Sequence, residues 1–406
     1  KGFYYSRYDK PGEGGELSSK NEFKKVYYHK VGDDQSKDQL IYENKLEPLR
    51  SYGAQTTSDE DFLAIFETES TSGNALYIKD LRKKESSFIK IADGFRYDYE
   101  IVTNYGERFI IRTNDGAPRY RLIAVELSNP GREAWETVVP EQAEVLQSAY
   151  PGGGMLICQY MKDATSKASV YHADGSLMHE IALPEPGTIN DFESAREDGQ
   201  AFFSFTSFTS PSTIYKYDIA SNRSEVFHQS ALGFNTEGIV SEQVFYTSKD
   251  GTRIPMFLVH RADIQMDGNN PVYLYGYGGF NVSLTPGFSV SRMLFIENGG
   301  IFAMPNLRGG GEYGEEWHHA GTKLQKQNVF DDFIAAAEYL IEQKYTNPQK
   351  LAIAGGSNGG LLVGACMTQR PELFAVALPA VGVMDMLRFH KFTIGWAWTE
   401  DYGSSE

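Results

Sequence analysis

Five short runs in the first half of the chain repeat one grammar: strand-forming residues, then a polar turn. They are Val26-Tyr27-Tyr28-His29, Leu76-Tyr77-Ile78-Lys79-Asp80, Arg121-Leu122-Ile123, Val170-Tyr171-His172 and Ile214-Tyr215-Lys216-Tyr217-Asp218. From Tyr27 through Tyr77, Leu122 and Tyr171 to Tyr215, the steps are 50, 45, 49 and 44 residues. Other short strands fall between them, among them Phe3-Tyr4-Tyr5, Phe62-Leu63-Ala64-Ile65-Phe66, Phe109-Ile110-Ile111 and Met155-Leu156-Ile157-Cys158. A period of this size with several strands per unit predicts a β-propeller, since one unit cannot bury its apolar face without its neighbours. An irregular β-sandwich is the alternative.

The grammar changes near residue 238. Pro271-Val272-Tyr273-Leu274-Tyr275, Gly300-Ile301-Phe302-Ala303-Met304 and Leu351-Ala352-Ile353-Ala354 read as buried strands, and Phe374-Ala375-Val376-Ala377-Leu378 as a further one. Between the second and third lies a helix, capped by Asp331 or Asp332, with Phe333, Ala336, Ala337, Leu340 and Ile341 on one apolar stripe. Such alternation implies a doubly wound, mostly parallel sheet with helices on both faces. The expected domains are 1–235 and 236–406, with a hinge near Gly233-Phe234-Asn235-Thr236-Glu237-Gly238.

Within the second half, Gly355-Gly356-Ser357-Asn358-Gly359 fits G-x-S-x-G between a strand and a helix-like run. That context presents a nucleophilic serine on a sharp turn whose glycines leave room where strand and helix cross. Tyr275-Gly276-Tyr277-Gly278-Gly279-Phe280 follows a strand directly. It sits where an α/β-hydrolase places a loop that helps form the oxyanion hole, the second donor being the Asn358 amide. A turn that merely lets the chain double back is the alternative for this loop.

Other candidates carry less. Arg308-Gly309-Gly310-Gly311-Glu312 lacks the ending of a phosphate loop, and an Arg308–Glu312 or similar ion pair is expected to stiffen it. Glu315, Glu316, His318 and His319 match no H-E-x-x-H spacing, so neither metal nor cofactor is expected. His390 lies only 33 residues after Ser357 and reads as a structural or surface histidine. Trp396, Trp398 and Tyr402 are core aromatics or the lining of an apolar pocket. A net charge of -16 argues against nucleic acid. No apolar run reaches the length of a membrane span, and two distant cysteines exclude a disulfide framework.

Longer strings carry a resemblance. Tyr275 to Asn281, Asn306 to Gly314, Gly355 to Gly360, Val381-Gly382-Val383-Met384-Asp385-Met386-Leu387 and Ala397 to Gly403 resemble the prolyl oligopeptidase family. The resemblance implies a seven-bladed propeller, of which about five repeats are visible here, followed by an α/β-hydrolase domain. It implies a serine peptidase that hydrolyses short peptides after proline. Ser357 resembles the nucleophile, the Asn358 amide and Tyr277 hydroxyl the oxyanion donors, and Trp398 the tryptophan that stacks on the proline ring. Phe280, Val383, Asn358 and Tyr402 resemble other pocket residues. The family's triad Asp and His are expected beyond Glu406, and the chain is expected to be the interior of a longer enzyme. A monomer acting on short proline-containing peptides follows, with a cytoplasmic location favoured and a periplasmic or secreted one left open. Another acyl hydrolase (an esterase, an acylaminoacyl peptidase or a basic-residue oligopeptidase) and a non-catalytic scaffold are the alternatives.

Overall fold

A computed structural model describes residues 1–10, 12, 15, 19–231 and 236–406. Gly233, Phe234 and Asn235 of the expected hinge, and with them the expected domain boundary at 235, lie outside the described residues. The chain forms two compact units, Lys1–Glu141 with Asp385–Glu406, and Gln142–Met384.

The first unit holds a three-stranded sheet followed by two four-stranded ones, and the second begins with two more four-stranded sheets. All five are antiparallel meanders of consecutive strands. The repeated runs explain themselves here. Ala75–Asp80, Arg121–Glu126, Thr165–Tyr171 and Thr213–Asp218 are each the third strand of their sheet. Lys25–Lys30 is likewise the last strand but one of the three-stranded sheet. Neighbouring sheets share cores. Phe62, Leu76 and Ile78 pack with Phe109, Ile111 and Ile123, and Ile157 and Val170 with Phe203 and Tyr217. This is the face-to-face stacking that the period predicts.

The second unit continues into a six-stranded sheet. Its strands are β1 (Ile239–Thr247), β2 (Arg253–Arg261), β3 (Val272–Tyr275), β4 (Ile301–Pro305), β5 (Leu351–Gly356) and β6 (Val376–Ala380). Their spatial order is β1-β2-β4-β3-β5-β6. A hairpin of β1 and β2 joins β4 antiparallel, and β4, β3, β5 and β6 are mutually parallel. Helices α1 (Val290–Glu297), α3 (Gln327–Glu342) and α4 (Asn358–Gln369) cover it, with the short α2 (Glu315–His319) in the loop after β4. Alternate side chains serve the two faces. Met256, Leu258, Ile301 and Ala303 pack with Phe333 and Leu362, whereas Phe257, Val259, Phe302 and Met304 pack with Met293 and Ile296 of α1. Among the described residues, no helix is long and apolar enough to cross a membrane.

Two details correct the sequence reading. Helix α3 starts at Gln327, and Asp332 does not cap it. Asp332 is fully buried and receives hydrogen bonds from Arg308 Nη2 at 2.6 Å, Arg308 Nε at 2.9 Å and Ser248 Oγ at 2.5 Å. Arg308 Nη1 also donates to Asp250 at 2.5 Å, so Arg308 pairs with these two carboxylates and not with Glu312. The reason lies in the stripe: Val329, Asp332, Phe333 and Ala336 share the buried side of α3, which carries the carboxylate to the guanidinium. Burial pulls the pKa of Arg308 down, but hydrogen bonds to Asp332 and Asp250 outweigh it and the guanidinium stays charged. Replacing Asp332 by Ala would strand most of that charge. Asp332→Ala is therefore expected to cost about 3 kcal/mol in urea unfolding, and a loss below about 1 kcal/mol would show that Asp250 alone suffices.

Candidate active site

Strand β3 pairs with β4 on one side and β5 on the other, so the chain reverses its winding direction between β4 and β5. In open parallel sheets such a switch point leaves a crevice at the carboxyl ends of the strands. Both sequence candidates fall there. Tyr277 lies two residues past the end of β3, and Ser357 one residue past the end of β5.

Ser357 is exposed and has φ 57° and ψ -116°, a conformation strained for a residue with a Cβ. Strain of this kind costs about 1–3 kcal/mol and needs fixed surroundings. They are visible. The Ser357 amide donates to the Ala380 carbonyl at 2.9 Å, and its own carbonyl accepts from Gly360 N–H at 2.9 Å and Leu361 N–H at 3.1 Å. Glycines make the crossing possible. A Cβ on Gly359 would stand 2.6 Å from the Gly276 carbonyl oxygen, and one on Gly360 2.6 Å from the Ala380 oxygen and the Gly382 Cα. Helix α4 thus begins in direct backbone contact with the loops that follow β3 and β6.

Asn358 opens α4 and is buried; its Nδ2 donates to the Tyr277 carbonyl at 2.6 Å. The first turn of a helix aims N–H groups that the helix itself cannot use. The Tyr277 loop is held from three sides. Gly276 N–H donates to the Ala354 carbonyl at 3.1 Å, the buried Lys326 ammonium donates to the Gly278 carbonyl at 2.9 Å, and Asn281 N–H donates to the Gly309 carbonyl at 3.1 Å. Phe280, half-buried, also adopts a positive φ of 56°. Val383, half-buried, lies three residues past the end of β6, beside the Gly360–Gly382 approach.

The structure therefore gathers Ser357, Asn358, Tyr277, Phe280 and Val383 at the strand ends of one unit. Trp398 and Tyr402 belong to the segment Asp385–Glu406 of the other unit. There Phe389 lies parallel to Trp398 at 6.4 Å between ring centroids and edge-on to Tyr402 at 5.4 Å. His390 is buried in the same segment. A separate cavity of about 570 Å³, lined by Tyr273, Tyr275, Arg292, Phe295, Phe302 and Met304, includes none of the candidate residues.

Comparison with known proteins bears on this geometry. Residues 1–230 match the model for the prolyl oligopeptidase N-terminal β-propeller domain, and residues 286–406 match the model for the prolyl oligopeptidase family. The chain belongs to the prolyl oligopeptidase family. Prolyl endopeptidase of Elizabethkingia meningoseptica is 47% identical over 406 residues, all of this chain and 57% of that protein. Prolyl oligopeptidase A of Galerina marginata is 40% identical over 423 aligned positions, again all of this chain and 57% of that protein. A solved chain, described with two prolyl endopeptidases and the role of their inter-domain dynamics, superposes with a TM-score of 0.94 at 42% identity. It is matched over 59% of its length and over 100% of this chain. The chain thus spans a little over half the length of these relatives. Within the family, the five antiparallel sheets are propeller blades and the six-stranded sheet is the α/β-hydrolase portion.

Sequence reasoning missed the residues that hold the loops. Lys326 gave no signal, being one lysine in a polar stretch. Glu312, offered by the sequence as one possible ion-pair partner of Arg308, instead accepts from Leu284 N–H at 2.9 Å and Asn306 Nδ2 at 3.2 Å. Burial pushes the Glu312 carboxyl up to about 7, against the opposing pull of these hydrogen bonds. A carboxyl raised in the fold contributes stability that is complete below about pH 4.5 and is lost as pH rises through about 7. Glu312→Gln keeps an oxygen for the Leu284 amide and removes the titration. Unfolding measured from pH 5 to 8 is expected to show wild type losing about 3 kcal/mol relative to the variant; parallel profiles would mean that Glu312 does not titrate in this range.

Proposed function

We propose that the chain is part of a serine peptidase that hydrolyses short peptides on the carboxyl side of proline. The observation that carries this reading is the strained, exposed Ser357 at the end of β5, next to the Tyr277 loop at the end of β3. Membership of the prolyl oligopeptidase family supports the same reading, as do the names of the relatives quoted above.

In this proposal the Ser357 hydroxyl attacks the carbonyl carbon of the residue before the scissile bond. A histidine polarised by a carboxylate takes the proton and returns it to the leaving amine, and water then hydrolyses the acyl-enzyme. We assign that histidine and carboxylate to the part of the relatives' length that this chain does not span, and not to His390. As the carbonyl oxygen becomes an oxyanion, the Asn358 amide and the Tyr277 hydroxyl donate to it. On their resemblance to the family's pocket residues, Trp398, Phe280, Val383 and Tyr402 are proposed as substrate-binding residues, Trp398 as the one that stacks on the proline ring. Proline suits such a site because its ring is rigid and carries no N–H to satisfy. The domains proposed are a propeller over 1–235 and a hydrolase domain over 236–406. The protein is proposed to act as a monomer, and its charge of -16 disfavours nucleic acid as a partner.

The test uses the whole protein that carries this chain and a chromogenic Gly-Pro amide. Ser357→Ala is expected to reduce kcat by at least about 10⁴-fold. Tyr277→Phe is expected to reduce kcat by about 10²-fold with little change in KM, as for loss of one oxyanion donor. Undiminished turnover by Ser357→Ala would end the nucleophile assignment. Faster cleavage after Arg than after Pro would replace the substrate class with that of a basic-residue oligopeptidase.

A further inference from the structure

The loop after β4 carries a second constellation that the hydrolytic reading does not use. Helix α2 spans only Glu315–His319, yet it brings one carboxylate and two imidazoles together. Glu315 Oε2 lies 3.8 Å from His318 Nδ1 and 3.6 Å from His319 Nε2, and donor atoms of all three residues fall within 4.8 Å of one another. Ligand atoms at about 2.0–2.2 Å from a shared tetrahedral ion stand about 3.3–3.6 Å apart. Closing the set draws the donor atoms together and turns the two imidazoles, stacked at 5.2 Å and 27° from parallel, toward a common point, a movement that the exposed His319 ring is free to make. The H-E-x-x-H template missed it because both histidines follow the carboxylate, at i+3 and i+4, positions that still share its face of the helix.

The burial is graded in a way that suits an ion. His318 is buried, the Glu315 side chain is 15% exposed, and the His319 side chain is 68% exposed. Two donors are held by the fold and the third closes from the solvent side, leaving a coordination position for water. Glu315 is also oriented from behind: its other oxygen, Oε1, accepts from Asn281 Nδ2 at 3.2 Å. An outer hydrogen bond of this kind fixes a ligating carboxylate and turns its second oxygen toward the metal. Two imidazoles and one carboxylate are the donors of zinc and its neighbours, not of calcium or magnesium.

We propose that Glu315, His318 and His319 bind a single zinc-class divalent ion. Because Glu315 also holds Asn281, the ion would fix the far end of the loop that carries Tyr277. Binding itself does not depend on the peptidase reading, and the test reads binding alone. The protein, stripped with a chelator, is titrated with Co²⁺ near neutral pH and then with Zn²⁺. One equivalent of Co²⁺ is expected to give a visible d–d band that Zn²⁺ abolishes. His319→Ala and Glu315→Gln are each expected to weaken binding at least about tenfold. His319 is exposed enough that its variant should keep the apo melting temperature of wild type. Absence of a saturable band, or a band unchanged in either variant, would overturn the proposal and leave an ordinary carboxylate–imidazole cluster.

Discussion

The ion group of Arg308, Asp332 and Asp250 is the fastening on which the six-stranded sheet and its loops depend. It joins three pieces that are far apart in the chain: the turn between β1 and β2, the loop after β4, and helix α3. Ser248 and Tyr246 add hydrogen bonds to the Asp332 carboxylate and backbone carbonyl. A charge cluster this deep is costly to desolvate, and removing one partner costs more than the intact group contributes. What it does here is geometric. With Arg308 fixed, Gly309 offers its carbonyl to Asn281, and the Tyr277 loop acquires one of its supports.

The candidate site is thus an arrangement of backbones before it is one of side chains. The serine's unfavourable dihedral angles are held by one bond to β6 and two to α4, and glycines let the neighbouring main chains touch. Lys326 and Asn358 then tie the Tyr277 loop to α3 and α4 through carbonyl oxygens. These bonds fix the start of α4 and the Tyr277 backbone, which is the preorganisation that the proposed oxyanion role requires.

Much of this was legible in the sequence, and the reasons differ by element. The blades could be read because their third strands repeat at a near-constant step, and the elbow because its turn forces glycines into a fixed pattern around Ser357. Helix α3 was legible from its stripe, but its start was not, since an acidic residue near a helix start resembles a cap whether or not it is one. Asp332 on the apolar side between Val329 and Phe333 was the available signal of a buried partner. Lys326 left no such trace because it acts on a backbone carbonyl, and Glu312 left none because its partners are the Leu284 backbone amide and the side chain of Asn306. The split into compact units, with Trp398 and Tyr402 in the unit of Lys1–Glu141, follows from packing alone.

The topology also fixes an order of assembly. Each blade is a meander whose strands are neighbours in the chain, so it closes through short loops at little entropic cost. The six-stranded sheet is different in kind: β3 can pair with β4, but its other edge must wait for β5, whose first residue Leu351 pairs with Val272, and the elbow must wait for β6. Until Ala380 is in place, the Ser357 amide has no acceptor from β6 to hold it in its unfavourable conformation. A chain emerging from the ribosome can therefore close its blades one after another while the serine turn is still relaxed. The strained geometry of Ser357 is acquired late, once the scaffold around it has formed.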